Sequence, residues 1–235
     1  MDYAAAVAAA PLGWKHFRKA DIDRLPRAVR RRALAQVPAG DVQLMQEGDP
    51  SAEERVLRAT FWTLVYHLEP KRWDALADVE PIAPAIIATL PRAQRALDVG
   101  AGSGRLTHHL VARAEHVAAI EPSLGLLAML RARLPRVLAI AAWAEALPIG
   151  DGWSQLTVAG SAFGPDAAVL GELERVTSPG GVVALINPEE PEWFAAHGWE
   201  RRDVEPAAVR RHDEWIDQFF GPPDPPTVIV SRRLA

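Results

Sequence analysis

The sequence predicts an α/β protein: a doubly wound, mostly parallel sheet of seven strands with the last strand antiparallel, preceded by an N-terminal helical cap. Three observations carry that expectation. From Pro91 onward, short apolar runs alternate with helix-period segments, as in a parallel sheet covered on both faces. One of those runs opens into a glycine turn, Gly100-Ala-Gly-Ser-Gly104, with a helix-period segment behind it. Residues 1–90 instead carry helical periodicity punctuated by Pro11, Pro26, Pro38 and Gly48-Asp-Pro-Ser51.

Within the cap, Ser51-x-x-Glu54 has the form of a capping box, and Val56, Leu57, Phe61, Leu64 and Val65 follow at helical spacing. A helix from there to about His67 is expected, then shorter pieces over Trp73–Val79 and Pro84–Leu90. The core at 91–235 begins with a strand at Arg95–Val99 and a helix at Gly104–Ala114, whose apolar residues are Leu106, Leu110 and Val111. A strand at Val117–Glu121 follows, then a helix at Leu124–Arg133 with Ser123 as its N-cap. Strands at Val137–Ala141 and Leu156–Ala159 precede a helix at Ala167–Val176. Pro179-Gly-Gly181 ends that helix before a strand at Val182–Ile186. After a short helix at Glu192–His197, Trp199–Val204 and Thr227–Arg233 read as an antiparallel closing pair. The 205–226 insertion between them is longer than a hairpin needs and contains a helical pattern at Val209, Trp215, Ile216 and Phe219.

Composition narrows the class. The 235 residues are 49% hydrophobic, enough for a core, and no apolar run reaches the ~18 residues of a membrane helix. Cysteine is absent, which excludes disulfides, thiolate metal sites and a cysteine nucleophile. The seven histidines show no metal spacing, so no metal is expected. The alanine-rich start lacks a preceding charged region, so no signal peptide is expected and the default is a cytoplasmic protein. Eight Lys or Arg residues fall between Lys15 and Arg32 against Asp21 and Asp23, leaving the remainder about ten charges negative for a net charge of −4. That argues against general nucleic-acid binding by the core. The basic segment is read as the solvated face of two helices that bury Phe17, Ile22, Leu25, Val29 and Leu34, with an RNA or acidic-partner arm as the rival reading.

The chemistry is expected at the glycine turn. Glycines there take positive φ and let a ligand approach the backbone. The dinucleotide spacing G-x-G-x-x-G is absent, as is the G-K-[ST] of a P-loop. Asp98, at the strand end, would repel a pyrophosphate but receive an ammonium group. Glu121, seventeen residues after Gly104, suits a ribose diol.

These features resemble the class I S-adenosylmethionine-dependent methyltransferases of small-molecule type, over roughly Pro91 to Ala235. The resemblance rests on Asp98 to Gly104 as D-x-G-x-G-x-G and on Ile120-Glu-Pro-Ser123. It also rests on Ala144-Glu-Ala-Leu-Pro148 and on Glu174-Arg-Val-Thr-Ser-Pro-Gly-Gly181, all in family order. It implies that Asp98, Gly100, Ala101, Gly102 and Gly104 wrap the methionine part of S-adenosylmethionine. Glu121, with Pro122 and Ser123, then meets the ribose, and Leu126 packs on the adenine. Ala144 and Glu145 lie beside the adenine, where Trp143 either packs on the ring face or faces the core with the adenine read by backbone alone, and Ser161 completes the cofactor set. Two departures stand out: Trp143 and Gln155 replace aspartates usual in the family.

On the acceptor side, the resemblance implies that cap segments help define the substrate pocket, with Tyr66, His67, Glu69 and Trp73 as cap candidates and Phe163 after the fourth strand. Methyl transfer needs a base only if the acceptor must lose a proton; His67, His212, Glu189 and Glu190 are the candidates. Ordinary packing is the competing reading for Tyr66 and Trp73, and a capped or exposed helix end for His67. The expected reaction is methylation of a small molecule, with S-adenosylhomocysteine as product. Alternatives are an RNA or protein methyltransferase using the basic segment, and a non-catalytic cofactor-binding protein. The 205–226 insertion is expected to close the substrate pocket or carry a homodimer contact.

Overall fold

A computed structural model describes residues 2–211 and 213–235. In chain order, the helices before the sheet are α1 (Tyr3–Ala9), α2 (Lys19–Arg24), α3 (Arg27–Ala35), α4 (Ala39–Glu47), α5 (Pro50–Ala59), α6 (Phe61–Leu68), α7 (Pro70–Val79) and α8 (Pro84–Thr89). The sheet region then runs β1 (Ala93–Val99), α9 (Thr107–Leu110), β2 (Ala114–Ile120), α10 (Leu124–Arg133), β3 (Leu138–Ile140), β4 (Ser154–Gly160), α11 (Ala167–Val176) and β5 (Thr177–Ile186). It ends with α12 (Pro191–Ala196), β6 (Glu200–Asp203), α13 (Glu214–Phe220) and β7 (Val228–Arg233). The described residues form two compact units, 1–79 with 211–223 and 80–210 with 224–235.

The second unit is built on one seven-stranded sheet in the order β3-β2-β1-β4-β5-β7-β6. Strands β1 to β5 are mutually parallel, and β7 lies antiparallel between β5 and β6. The chain order reverses direction at β1 and β4, a topological switch point that opens a crevice at the carboxyl ends of the strands. Because both faces are covered there, the central strands bury their carboxyl halves: Ala96 to Val99 are 0% exposed. One face packs Ile82, Ile86, Ile87 and Leu90 of the α8 segment against Leu156, Ala184 and Ile229. The other packs Leu173 and Val176 of α11 and Phe194 of α12 against Leu97, Val183 and Val230. Residues 80–90, assigned to the cap from sequence, thus share the core of the sheet.

The expected Gly104–Ala114 helix contracts to α9, Thr107–Leu110. Val111 to Arg113 form a turn, with the Arg113 N–H donating to the Leu110 carbonyl, because Ala114 already pairs with the sheet as the first residue of β2. The α10 helix holds its expected bounds, and the Ser123 hydroxyl accepts from the Leu126 N–H at 3.3 Å.

In the helical unit, the long helix expected from Ser51 to His67 is two helices. Thr60 breaks them: its ψ is 5°, and its hydroxyl donates to the Val56 carbonyl at 2.8 Å, competing with regular propagation. The N-cap of α5 is Asp49, not Ser51. Its carboxylate accepts from the Ala52 N–H at 2.6 Å, and Pro50 takes the first helical position, where no N–H is needed. Phe17, Ile22, Leu25 and Val29 are buried, while Leu34 is half-buried and Ala33 takes the interior position beside it. Several cations of the basic segment are engaged locally. Arg24 pairs with Asp21, Arg30 with Asp23, and Arg18 donates to the Lys15 and Phe17 carbonyls. The 211–223 segment belongs here because of its rings. Phe219 lies 5.7 Å from Phe61 centre to centre, and the Arg72 guanidinium sits 4.7 Å from the Trp215 ring.

Candidate functional site

The glycine turn leaves β1 at its carboxyl end and is pinned to the neighbouring strand. The N–H groups of Gly100 and Ala101 both donate to the Ile120 carbonyl, each at 2.9 Å. Gly100 has φ +74°, and a Cβ on it would stand 3.1 Å from the Ala162 Cβ and 3.5 Å from the Phe163 ring. Gly104, at φ +101°, has Leu130 at 3.3 Å from the same imagined atom. Glycine is therefore required twice over, by backbone sign and by space. The approach of Ala162 and Phe163 also brings the loop after β4 over the turn.

Two acids flank the turn. Asp98 is completely buried, and its Oδ2 accepts from the Thr107 hydroxyl at 2.6 Å. Its Oδ1 is buried with no hydrogen-bond partner. Burial raises its carboxyl to about 7 and the Glu121 charge adds to the rise, while the Thr107 hydroxyl lowers it. A buried carboxylate oxygen with nothing to accept from is costly unless a donor arrives. Glu121 is 6% exposed and grips the turn directly: Oε2 accepts from the Gly102 N–H at 2.9 Å, and Oε1 from the Ser123 N–H at 2.7 Å. Burial raises its pKa, and those two N–H groups lower it. Each oxygen keeps a further lone pair for a ligand hydroxyl. Thr107, absent from the candidate residues, is the member that sequence reading missed. Its place nine residues beyond Asp98 carries no signal of its own; the fold makes the contact.

The comparisons with known proteins agree with this geometry. Residues 96–181 match a family model described as a methyltransferase domain. Proteins of Mycobacterium bovis and Mycobacterium tuberculosis, each named an uncharacterized methyltransferase, are 32% identical over 151 residues, 60% of this chain and 57% of theirs. Residues 96–181 are thus similar to a methyltransferase domain. The match spans just over half the length of those curated relatives. A chain of the Haloferax volcanii complex containing the Trm112 methyltransferase activator shares the fold at a TM-score of 0.50. It is 16% identical, over 69% of this chain and 93% of that one.

Within the second unit, the remaining candidates fall in distinct places. Ala101 is buried in the turn and Pro122 half-buried after β2. Leu126 is 1% exposed, an interior residue of α10. Ala144 joins the core beside Leu147, while Trp143 is half-buried outside that cluster and its carbonyl accepts from the Ala146 N–H. Glu145 is half-buried next to it. Gln155 has a scaffolding contact: its side-chain oxygen accepts from the Arg95 N–H at 2.8 Å, joining the starts of β4 and β1.

Three non-glycine residues have positive φ among those described, and all lie in the loops after β4 and β5: Ser161 at 50°, Asn187 at 48° and Glu190 at 53°. Each such residue costs on the order of 1–3 kcal/mol, so the loops are held by their surroundings. Ser161 donates to the Ile186 carbonyl, Asn187 to the Val228 carbonyl, and Glu189 to the Phe163 carbonyl. Glu189 and Glu190 are exposed on this rim and Phe163 is half-buried in it.

Tyr66, His67, Glu69 and Trp73 belong to the helical unit. Tyr66 stacks on Trp62 with centroids 5.9 Å apart, and Trp73 meets Tyr66 edge-on at 5.0 Å. Burial holds the His67 imidazole below its ordinary range, so it is neutral at pH 7. Glu69 pairs with Arg72 and His16. His212 lies outside the described residues. Among the described residues no group of three or more potential metal ligands forms, and no helix is long and apolar enough to cross a membrane. A cleft of about 350 Å³ elsewhere in the domain is lined by Leu90, Val182, Ile229, Ser231 and Arg233, none a cofactor candidate.

Proposed function

We propose that this protein transfers a methyl group from S-adenosylmethionine to a small-molecule acceptor. The observation that carries the reading is the pair of buried acids about a glycine turn, Asp98 with a partnerless Oδ1 and Glu121 with lone pairs to spare. The residues fit the cofactor: Asp98 receives its ammonium group, Glu121 accepts from its ribose hydroxyls, and the positive φ of Gly100 and Gly102 shapes the turn around it. Bound there, the cofactor supplies an electrophilic methyl carbon on a sulfonium. The chain's own part is to hold the two reactants in line, which is worth roughly 7–11 kcal/mol in well-aligned systems. Ala162 and Phe163 lie against Gly100. Glu189 and Glu190, exposed on the rim after β5, are the candidates to take a proton from an acceptor that must lose one. The local pairing of Arg18, Arg24 and Arg30 favours a small acceptor over RNA.

Calorimetric titration with S-adenosylhomocysteine, with NAD as control, tests the cofactor assignment. Micromolar binding of the first and none of the second is expected; binding of neither refutes it. An acceptor screen with the labelled cofactor then tests the substrate class.

A further inference from the structure

Arg105, the residue after the third glycine, reaches away from the turn. Its Nη1 donates to the Glu80 carbonyl at 3.0 Å and lies 3.4 Å from Glu80 Oε2. The other carboxylate oxygen, Oε1, accepts from the Asp224 N–H at 2.9 Å across 144 residues of chain. Both charged side chains are largely withdrawn from water, 15% and 13% exposed, so the pair is shielded from salt in a way surface pairs are not.

The partners are not arbitrary points. The chain leaves the helical unit between Val79 and Glu80 and again between Pro223 and Asp224, two of the three places where it passes from one unit to the other. Asp224 sits in Gly221-Pro-Pro-Asp-Pro-Pro226. Prolines have no N–H, so Asp224 offers the one backbone donor between residues 222 and 226, and that donor goes to Glu80. Four fixed proline φ angles make this segment a stiff strap, and Glu80 takes its one backbone donor, while Pro225 and Pro226 are buried.

We propose that Arg105, Glu80 and Asp224 form a clasp that couples cofactor occupancy of the glycine turn to both crossings between the units. Resting on the cofactor reading above, it works through the backbone. A ligand that orders Gly100 to Gly104 orders Arg105 with them, and the guanidinium fixes Glu80, which fixes Asp224. Linkage makes the effect reciprocal, so loosening the clasp weakens cofactor binding by the factor through which the cofactor tightens the clasp. Arg105 and Glu80 are positioning residues, with no contact to the reacting atoms.

Hydrogen–deuterium exchange on the full chain tests the clasp, with S-adenosylhomocysteine as probe and calorimetry alongside. A peptide spanning 222–226 reports one backbone amide, that of Asp224. In the wild type, saturating probe is expected to slow its exchange by about fivefold or more, the lower range of site-to-site coupling. In Glu80→Gln and Arg105→Ala, Asp224 exchanges faster without probe, and the probe-dependent slowing falls below about twofold although heat of binding persists. Arg105→Lys, which keeps the charge but not the fork, is read the same way if Arg105→Ala does not fold. Undiminished slowing in the variants, or binding to the wild type with no slowing, overturns the coupling alone. Absence of binding heat in the wild type overturns the cofactor reading and the coupling with it.

Discussion

Replacing Asp98 by asparagine separates the cost of this buried acid from its use. Its carboxyl is raised from 3.8 to about 7, chiefly by burial. The folded state therefore holds this proton more tightly than the unfolded chain. The associated stability is fully present below pH 3.8 and is lost as pH rises through about 7. Three units at ~1.4 kcal/mol each give an upper figure of about 4 kcal/mol. About 2–3 kcal/mol of that falls between pH 5 and pH 8. For a domain of this size it corresponds to a melting temperature lower by ~5–10 °C at the higher pH. In Asp98→Asn the amide keeps the Thr107 contact and leaves its own NH2 unsatisfied, costing ~1–3 kcal/mol at every pH, but this pH slope disappears. Other groups titrate in the same window, His67 and His109 with opposite sign, so the readout is the wild-type-minus-variant difference in melting temperature, measured without cofactor from pH 5 to pH 8. Binding should show the converse. An ammonium at Oδ1 favours the ionised acid, so wild-type affinity for S-adenosylhomocysteine rises toward tenfold per unit up to about pH 7. The variant binds more weakly and without that slope. A flat melting difference, or parallel binding profiles, would refute the assignment of Asp98.

Three further substitutions test neighbouring steps of the argument. Glu121→Gln puts a donor where the Gly102 or Ser123 N–H now donates, and should weaken S-adenosylhomocysteine binding by ~1.5–3 kcal/mol, about 10- to 150-fold by calorimetry. Gly104→Ala forces an alanine to φ +101° with Leu130 at 3.3 Å; a loss of ~1–3 kcal/mol on chemical denaturation is expected, with weaker cofactor binding. Asp49→Ala removes the α5 cap and should cost ~1 kcal/mol in the same assay, whereas Ser51→Ala should cost no more than a few tenths. A larger loss at Ser51 would restore the capping box.

The alternation of strands and helices, the glycine turn, both acids and the N-cap Ser123 were legible in the sequence because each depends on residue type at a local spacing. Strand burial, helix period and backbone sign are properties of a few consecutive residues. Helix ends were less legible. Whether Gly104–Ala114 forms three turns or one depends on Ala114 pairing in the sheet, and whether Ser51 or Asp49 caps α5 depends on which backbone N–H groups the helix leaves free. What only the tertiary structure decided is pairing across distance. The contact of Thr107 with Asp98, the approach of Ala162 to Gly100, and the grip of Arg105 on Glu80 join residues whose spacing in the chain carries no signal. The same holds for burial. That Asp98 is an acid can be read from the chain, but that its carboxyl is pushed to about 7 follows from its complete burial in the folded sheet, with the charge of Glu121 adding to the rise.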